Sequence, residues 1–320
     1  MMDPTTLVNG LHRDVLDCIG NTSMLALRNI VPENGSRVLL KLESENPSGS
    51  IKDRMALAMI EAAEADGRLA RDGLVVEYTG GSTGVSLSLV CAVKGYAIRI
   101  VTSDAFSREK LDHMEILGAE LEIVKSDSGR MTEKLTREMV EAARVIAQEP
   151  GSHWTDQLNN TAPIAAYHRM AEEIWAQTGG QIDGFVQSVG TAGSLRGIGE
   201  GLRGHDEQIR VVAVEPAESP VLSGGKTGAH KIDGVGAGFV VPLWQEGVAD
   251  QIERVSTEEA TTMALRLARE EGLFAGTSTG ANVVAALRLA GQLEPGATIV
   301  TVMCDTGMKY FSNALFRDHA

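Results

Sequence analysis

The sequence is poor in several features that mark particular protein classes. Aromatic residues make up only 4% of the 320 positions, and there are three cysteines, Cys18, Cys91 and Cys304. An odd number of cysteines without CxxC spacing argues against a disulfide framework or a zinc site, and it fits a reducing cytoplasm. The seven histidines show no metal-ligand spacing either, so we predict no metal site.

Positive charge and long apolar runs are also scarce. Lys and Arg number 29 against 43 Asp and Glu, which gives a formal charge of −14. An acidic chain without a basic cluster is a poor ligand for nucleic acid or anionic lipid. No apolar run approaches the ~20 residues of a membrane helix, and Met1 to Gly10 lacks the pattern of a secretory signal. The expectation is a cytoplasmic protein that binds neither nucleic acid nor membrane.

Glycine is abundant, at 35 residues, and it clusters in short loops between apolar segments. Six segments rich in Val and Ile are too short for helices and predict strands at 74–78, 98–102, 121–124, 184–188, 210–214 and 299–303. Segments with helical spacing lie at 52–65, 83–94, 107–117, 257–271 and 280–289. Strands that alternate with helices predict an α/β fold with a mostly parallel sheet.

Two series of strand–helix units are expected, at about 73–126 and about 182–304. The turn cluster Glu149-Pro150-Gly151-Ser152 between them is the predicted domain edge. In open α/β sheets, ligands bind at the carboxyl ends of the strands, and the glycine-rich loops follow those ends.

The first chemical motif is Pro47-Ser48-Gly49-Ser50-Ile51-Lys52-Asp53-Arg54, which places a lysine at the start of an apolar helix. The positive potential at a helix N-terminus favours the neutral amine, and a neutral amine can form a Schiff base. A single lysine at such a place is more often simply solvated.

Three loops combine glycine with Ser or Thr and lie between an apolar segment and a helix: Thr79 to Gly84, Ser188 to Ser194 and Gly276 to Gly280. Backbone N–H groups, hydroxyls and a helix N-terminus together make an anion site. Each loop alone is equally compatible with a plain turn or an N-cap. None matches a Walker A loop or GxGxxG, so a nucleotide-dependent oxidoreductase rests on the α/β pattern alone. The segment Lys231 to Phe239 is a further glycine-rich loop.

Together and in this order, the motifs closely resemble the cysteine synthase family of pyridoxal-phosphate enzymes, over nearly the whole chain. The resemblance extends from Ile19-Gly20-Asn21-Thr22 to Asp305-Thr306-Gly307-Met308-Lys309-Tyr310. It implies a two-domain, fold type II architecture like the tryptophan synthase β subunit, with twisted parallel sheets flanked by helices. The implied large cofactor-binding domain spans 1–45 and 158–320, and the small mobile domain spans 46–157.

The resemblance also implies roles for individual residues. Lys52 is expected to hold pyridoxal phosphate as a Schiff base and to move a proton at the substrate Cα. The expected cofactor-binding residues are Lys52, Ser82, Gly190, Thr191, Ala192, Gly193, Ser194 and Ser278. The expected substrate-binding residues are Thr79, Gly80, Gly81, Ser82, Thr83, Gln157 and Gly234.

Four positions depart from the family pattern, and the two in the carboxylate loop bear on substrate identity. The family's carboxylate loop usually reads Thr-Ser-Gly-Asn-Thr-Gly, so Gly80 replaces Ser and Ser82 replaces Asn. We expect both changes to open the pocket. In the phosphate loop, usually Gly-Thr-Gly-Gly-Thr, Ala192 and Ser194 replace Gly and Thr.

The resemblance implies an enzyme that makes L-cysteine from O-acetyl-L-serine and sulfide through an aminoacrylate, and a homodimer with serine acetyltransferase as a partner. Alternatives on the same scaffold are an O-phosphoserine sulfhydrylase, a cystathionine β-synthase, a cysteine desulfhydrase or a β-substituted alanine synthase. A non-catalytic binding protein is a further alternative, which retention of Lys52 and of both anion loops disfavours.

Overall fold

The computed structural model describes residues 12–127, 129 and 132–311. Residues Met1 to Gly10 lie outside this part, and with them the expectation about a secretory signal. In the described part, no helix combines the length and the apolar character needed to cross a membrane.

In the part of the chain that the structure describes, ten strands form two separate sheets. The strands are β1 (Met24–Ala26), β2 (Arg37–Leu42), β3 (Leu74–Tyr78), β4 (Ala97–Ser103), β5 (Glu120–Val124), β6 (Ser152–Trp154), β7 (Gly184–Ser188), β8 (Arg210–Pro216), β9 (Gln251–Val255) and β10 (Thr298–Met303). The larger sheet has the order β1-β2-β10-β7-β8-β9, and the smaller has the order β5-β4-β3-β6. Every pair is parallel except β1 with β2. The prediction of mostly parallel sheets is confirmed.

Eight α-helices of the described residues connect and cover the strands. They are α1 (Lys52–Ala65), α2 (Ser82–Lys94), α3 (Arg108–Ile116), α4 (Glu133–Ile146), α5 (Ala162–Thr178), α6 (Gly193–His205), α7 (Thr257–Arg266) and α8 (Thr277–Ala290). A π-helical turn, Leu267–Glu271, continues α7 to the left-handed Gly272. Helix α1 contacts both α2 of the small-sheet unit and α5 of the large-sheet unit, so it joins the two.

All six predicted strands form, with ends that differ by at most two residues. The sequence analysis missed four strands, β1, β2, β6 and β9, and the helices α4 and α5. The predicted domain edge at 149–152 lies inside the small-sheet unit, because β6 follows it at once and pairs with β3. The turn is real, but it does not separate the two sheets.

The carboxyl ends of neighbouring parallel strands lie at one edge of each sheet. In the large sheet, β7 ends at Ser188 beside β10, which ends at Met303. In the small sheet, β3 ends at Tyr78. The loops that leave these three ends carry the candidate site.

Candidate active site

Lys52 is the first residue of α1, and its side chain is half-buried. No hydrogen bond or ion pair holds its Nζ within the described residues. Burial lowers the pKa of Lys52, while nearby Cys304 and Asp305 act in the opposite direction. The sequence analysis attributed a neutral amine to the helix dipole, but the main cause is loss of hydration. An unpaired amine with a lowered pKa is suited to attack a carbonyl group.

Helix α1 is held at its first turn by a buried ion cluster. Arg54 Nε and Nη2 donate to Glu43 at 2.7 and 2.8 Å, and Arg54 Nη1 donates to Glu173 at 2.7 Å. Lys41 Nζ lies 2.7 Å from Glu173. Burial opposes ionisation of Glu173, but hydrogen bonds from Arg54 and the charge of Lys41 bring its pKa down to about 2. The cluster keeps the start of α1, and therefore Lys52, in one position.

The loop Thr79–Thr83 connects β3 to α2 and forms the first anion site. Gly81 has φ of +135°, which a residue with a side chain rarely adopts, and its N–H donates to Thr79 Oγ1 at 3.1 Å. Thr83 Oγ1 donates to Gln157 Oε1 at 2.8 Å, and Gln157 Nε2 donates to the Tyr78 carbonyl at 2.7 Å. Gln157 is therefore placed beside this loop. The first N–H groups of α2 have no partner inside the helix and are available to an anion.

Two side chains cover the glycines of this loop, one from the segment between β4 and α3 and one from the first turn of α3. A Cβ added at Gly80 would lie 2.8 Å from Phe106 Cε1, and one added at Gly81 would lie 2.3 Å from Lys110 Cδ. Lys110 is buried, with its Nζ 4.2 Å from the centre of the Tyr310 ring and 3.9 Å from Asp233. The expectation that Gly80 opens the pocket is therefore wrong on the Phe106 side, where the aromatic ring fills the space.

Ser82 has a partner that the sequence analysis did not identify. Its hydroxyl donates to Asp305 Oδ2 at 3.3 Å, and Tyr310 donates to the same oxygen at 2.6 Å. Asp305 is buried, and its other oxygen, Oδ1, has no partner in the described chain. An isolated bridge also pairs Ser50 with Asp305. Asp305 therefore connects the carboxylate loop to the segment that carries Lys52.

The second anion site is the loop Gly190–Ser194 between β7 and α6. A Cβ at Gly190 would lie 2.5 Å from the carbonyl oxygen of Gly234, so only glycine fits. Gly234 itself, predicted as a substrate contact, thus lies against this loop. Ala192 adopts a left-handed conformation, with φ of +70°, immediately before α6 starts at Gly193.

The hydroxyl groups of this loop are accessible to a ligand. Thr191 and Ser194 are half-buried, and the first N–H groups of α6 lie at the same end of the helix. The Asp233 N–H donates to Thr277 Oγ1 at 3.2 Å, which joins the segment with Gly234 to the start of α8. The donor set and the two close-packed glycines fit a phosphate group.

Ser278 is buried in the first turn of α8 and lies close to the Cys304 thiol. Asn282 Nδ2 also lies 3.4 Å from Cys304 Sγ. Burial raises the pKa of Cys304 to about 11 even though Lys52 is nearby, so the thiol stays protonated. Cys91 is buried in the core, whereas Cys304 is half-buried and borders the site.

Cys304 also fixes the spacing of two site segments through its backbone. Its carbonyl accepts from the Ile51 N–H at 2.9 Å, and its N–H donates to Thr279 Oγ1 at 3.2 Å. Lys52 follows Ile51, and Ser278 precedes Thr279. The two contacts with Cys304 therefore bring Lys52 and Ser278 together. A reactive amine, a neutral hydroxyl and a phosphate-type loop are the groups that pyridoxal phosphate requires. In the described residues, no set of three His, Cys, Asp or Glu side chains is arranged for a metal ion.

The structure brings together nearly all of the site residues predicted from the sequence. Four others escaped the sequence analysis: Phe106, Lys110, Gln187 and Asp305. Phe106 and Lys110 pack against Gly80 and Gly81 from positions distant in the sequence, and no local motif indicates these contacts. Asp305 was part of a quoted motif, but its proximity to Ser82 depends on the fold.

Comparisons with known proteins agree with this geometry. The family model "Pyridoxal-phosphate dependent enzyme" matches residues 15–305. A cysteine synthase of Staphylococcus aureus strain Mu50 is 38% identical over 305 residues, which cover 95% of this chain and 96% of the relative.

Solved structures give the same result. A cysteine synthase of Entamoeba histolytica superposes with a TM-score of 0.91 at 32% identity, covering 99% of this chain and 94% of that one. An O-ureido-L-serine synthase superposes with a TM-score of 0.90 at 34% identity, covering 96% of both chains. The predicted fold type II architecture and the predicted cofactor are confirmed. The chain belongs to the family of pyridoxal-phosphate dependent enzymes.

Proposed function

We propose that this enzyme makes L-cysteine from O-acetyl-L-serine and sulfide by β-replacement. The observation that carries the proposal is the unpaired amine of Lys52, with its lowered pKa, between a carboxylate loop and a phosphate loop. One anion loop for an amino acid and another for the cofactor match that substrate class. The similarity to cysteine synthases over nearly the full length supports the same conclusion.

Pyridoxal phosphate, when bound, draws electrons from the substrate Cα so that the β-substituent can leave. Gly190 to Ser194 would hold its phosphate, and Ser278 would be the neutral partner of its ring nitrogen. Ser278 is a neutral hydroxyl that cannot supply a positive charge. The electron sink is therefore weaker than with a carboxylate at that position, which favours loss of a good leaving group over transamination.

The carboxylate loop orients the amino acid. Thr79 and the N–H groups at the start of α2, that of Thr83 among them, bind the α-carboxylate, and Gln157 holds the Thr83 side chain in place at 2.8 Å. Lys52 removes the Cα proton and returns it to the product. Ser82, held by Asp305, completes the wall next to the substrate.

We propose further that residues 46–157 move as a small domain against 1–45 and 158–320. Closure would bring Thr79–Thr83 onto the substrate and exclude water from a hydrolysable intermediate. A homodimer in the cytoplasm, with serine acetyltransferase as a partner, completes the proposal. Size measurement with and without the acetyltransferase's C-terminal peptide tests the assembly.

The test of function uses the visible spectrum of the purified enzyme. O-acetyl-L-serine should shift the cofactor band, sulfide should restore it, and cysteine should appear. Lys52→Ala should lower cysteine formation by at least about a thousandfold, because no other amine takes its place. The control is Lys94→Ala at the end of α2, which breaks only the ion pair with Glu64 and should leave the rate unchanged.

Two results would contradict the proposal. If Lys52→Ala retained cysteine synthesis, the lysine would not be the catalytic amine. If the native enzyme were yellow but O-acetyl-L-serine left its spectrum unmoved, the acetylated substrate would be wrong, and O-phospho-L-serine and L-cysteine would then be the substrates to test.

A further inference from the structure

Gln187 is a buried amide with an unusual set of contacts. It lies near the end of β7 and is only 2% exposed. Its Nε2 donates to Ser194 Oγ at 2.8 Å, while its Oε1 has no partner in the described chain. Buried side-chain amides are normally paired at both ends, so this one requires an explanation.

The Ser194 hydroxyl has one proton and two lone pairs. Because Gln187 Nε2–H occupies a lone pair, the hydroxyl proton remains free to point elsewhere. If the amide group were flipped, the Ser194 hydroxyl would donate its proton to Gln187 Oε1. The lone pairs of the Ser194 hydroxyl would then face the ligand of the loop. Either orientation leaves one end of the amide unpaired, so the choice depends on what Ser194 faces. An anion bound at the loop favours the observed orientation of the Gln187 amide, because the Ser194 hydroxyl proton is then free to point at the anion.

The residue type at 194 strengthens this argument. The resemblance described above places Thr at this position, and a β-branched side chain has a restricted χ1 angle. Serine lacks the methyl group and rotates more freely. The hydrogen bond from buried Gln187 supplies the missing restraint on the χ1 angle of Ser194.

We infer that Gln187 is a positioning residue for the cofactor phosphate: its amide N–H holds the Ser194 hydroxyl so that the hydroxyl proton is donated to the phosphate. The inference rests on the proposed function, because it uses the assignment of Gly190–Ser194 as the phosphate loop. It goes further in giving a role to a residue outside that loop.

The test compares two ligands of the cofactor-depleted full-length protein: pyridoxal phosphate and pyridoxal, which lacks the phosphate. Gln187→Met keeps the approximate size but removes the donor, and it should weaken pyridoxal phosphate binding about tenfold. Gln187→Glu places a negative charge there and should weaken it at least about a hundredfold. Pyridoxal affinity should change less than about twofold, because no phosphate is present. Gln181→Met, at an exposed glutamine, is the matched control and should change neither affinity.

A double-mutant cycle tests whether Gln187 acts through Ser194. Ser194→Ala should weaken pyridoxal phosphate binding about tenfold, and adding Gln187→Met should cause no further loss. In a Ser194→Thr background, Gln187→Met should change affinity by less than about twofold, because the methyl group restores the restraint. If Gln187→Met folds poorly, Gln187→Glu, which keeps the shape of the side chain, decides the question by the same comparison of the two ligands.

Equal losses for both ligands would overturn the inference, since Gln187 would then support the structure in general. Additive losses in the cycle would also overturn it, because Gln187 would then act independently of Ser194. If the unmodified protein bound pyridoxal as tightly as pyridoxal phosphate, the phosphate-loop assignment itself would fail. That result is distinguishable from a failure confined to Gln187.

Discussion

The carboxylate loop Thr79–Thr83 and the phosphate loop Gly190–Ser194 share one sequence pattern but are supported in opposite ways. Each follows a buried strand, combines glycine with hydroxyl residues and begins a helix. The first is covered by long side chains, Phe106 and Lys110. The second is packed against backbone, at Gly234, and against a neutral amide.

Charge is distributed just as unevenly. Lys110, Asp305 and Lys309 are buried around the carboxylate loop, and Lys309 Nζ has no hydrogen-bond partner in the described chain. The side-chain contact of the phosphate loop, Gln187 to Ser194, is neutral. The carboxylate loop is therefore surrounded by long and charged side chains, whereas the phosphate loop is surrounded by backbone and a neutral amide. The following experiments test that contrast.

The largest effect is expected from Gly81→Ala. This residue has φ of +135°, and its added Cβ would overlap the buried stem of Lys110 at 2.3 Å. Strain and overpacking together should cost about 3–5 kcal/mol, expressed mainly as loss of amino-acid binding. Spectral titration with O-acetyl-L-serine should show at least about a hundredfold weaker affinity. Pyridoxal phosphate affinity should be unchanged, because the phosphate loop is built separately.

Gly67→Ala is the matched control for that variant. Gly67 also has a positive φ, +77°, but open space surrounds the added Cβ. It should lower stability by about 1 kcal/mol without changing amino-acid affinity. If Gly81→Ala instead lost the cofactor, the two loops would not be independent, and the contrast between them would be wrong.

A smaller effect is expected from Lys309→Met, which removes a buried charge on the carboxylate-loop side. Burial lowers the pKa of Lys309 to about 8 from 10.5, although Asp305 and Asp53 favour its charged form. The unfolded state therefore binds more protons between these two pH values, and stability rises as pH increases from about 8 to 10.5. Below pH 8 the folded protein bears the full penalty, up to about 3 kcal/mol.

Urea unfolding at pH 7 should accordingly show Lys309→Met to be more stable than the native protein, with the difference disappearing near pH 10.5. The exposed residue Lys125 provides the control, since Lys125→Met should change stability little at any pH. A Lys309→Met protein less stable at pH 7 would mean that the ammonium is paired in solution.

The sequence predicted the loops well because each one has a local signal. Buried strands rich in Val and Ile, a glycine–hydroxyl turn and a following helix are visible within about ten residues. It missed β1 and β6, which have three residues each and exist only because β2 and β3 pair with them. Helix α4 was missed although apolar residues recur along one of its faces.

Contacts across the chain were beyond the reach of the sequence. Phe106 lies 26 positions from Gly80, and nothing local indicates that the ring fills the space left by a missing serine side chain. Asp305 and Ser82 are 223 positions apart and meet because β10 ends beside the segment that precedes α1. Motifs predicted which groups form the site, and packing determined what supports each group.

The smallest expected effect tests the rigidity of the phosphate loop. Ala192 has φ of +70°, a conformation in which an L-residue with a Cβ is strained by about 1–2 kcal/mol. Ala192→Gly removes the strain but adds backbone entropy to the unfolded chain, so the net gain should be at most about 1 kcal/mol in urea unfolding. Ala62→Gly in the last turn of α1 should have the opposite sign, a loss of up to about 1 kcal/mol. If Ala192→Gly were destabilising like its control, the loop would relax its conformation in solution, and its rigidity would have to come from the bound phosphate rather than from the fold.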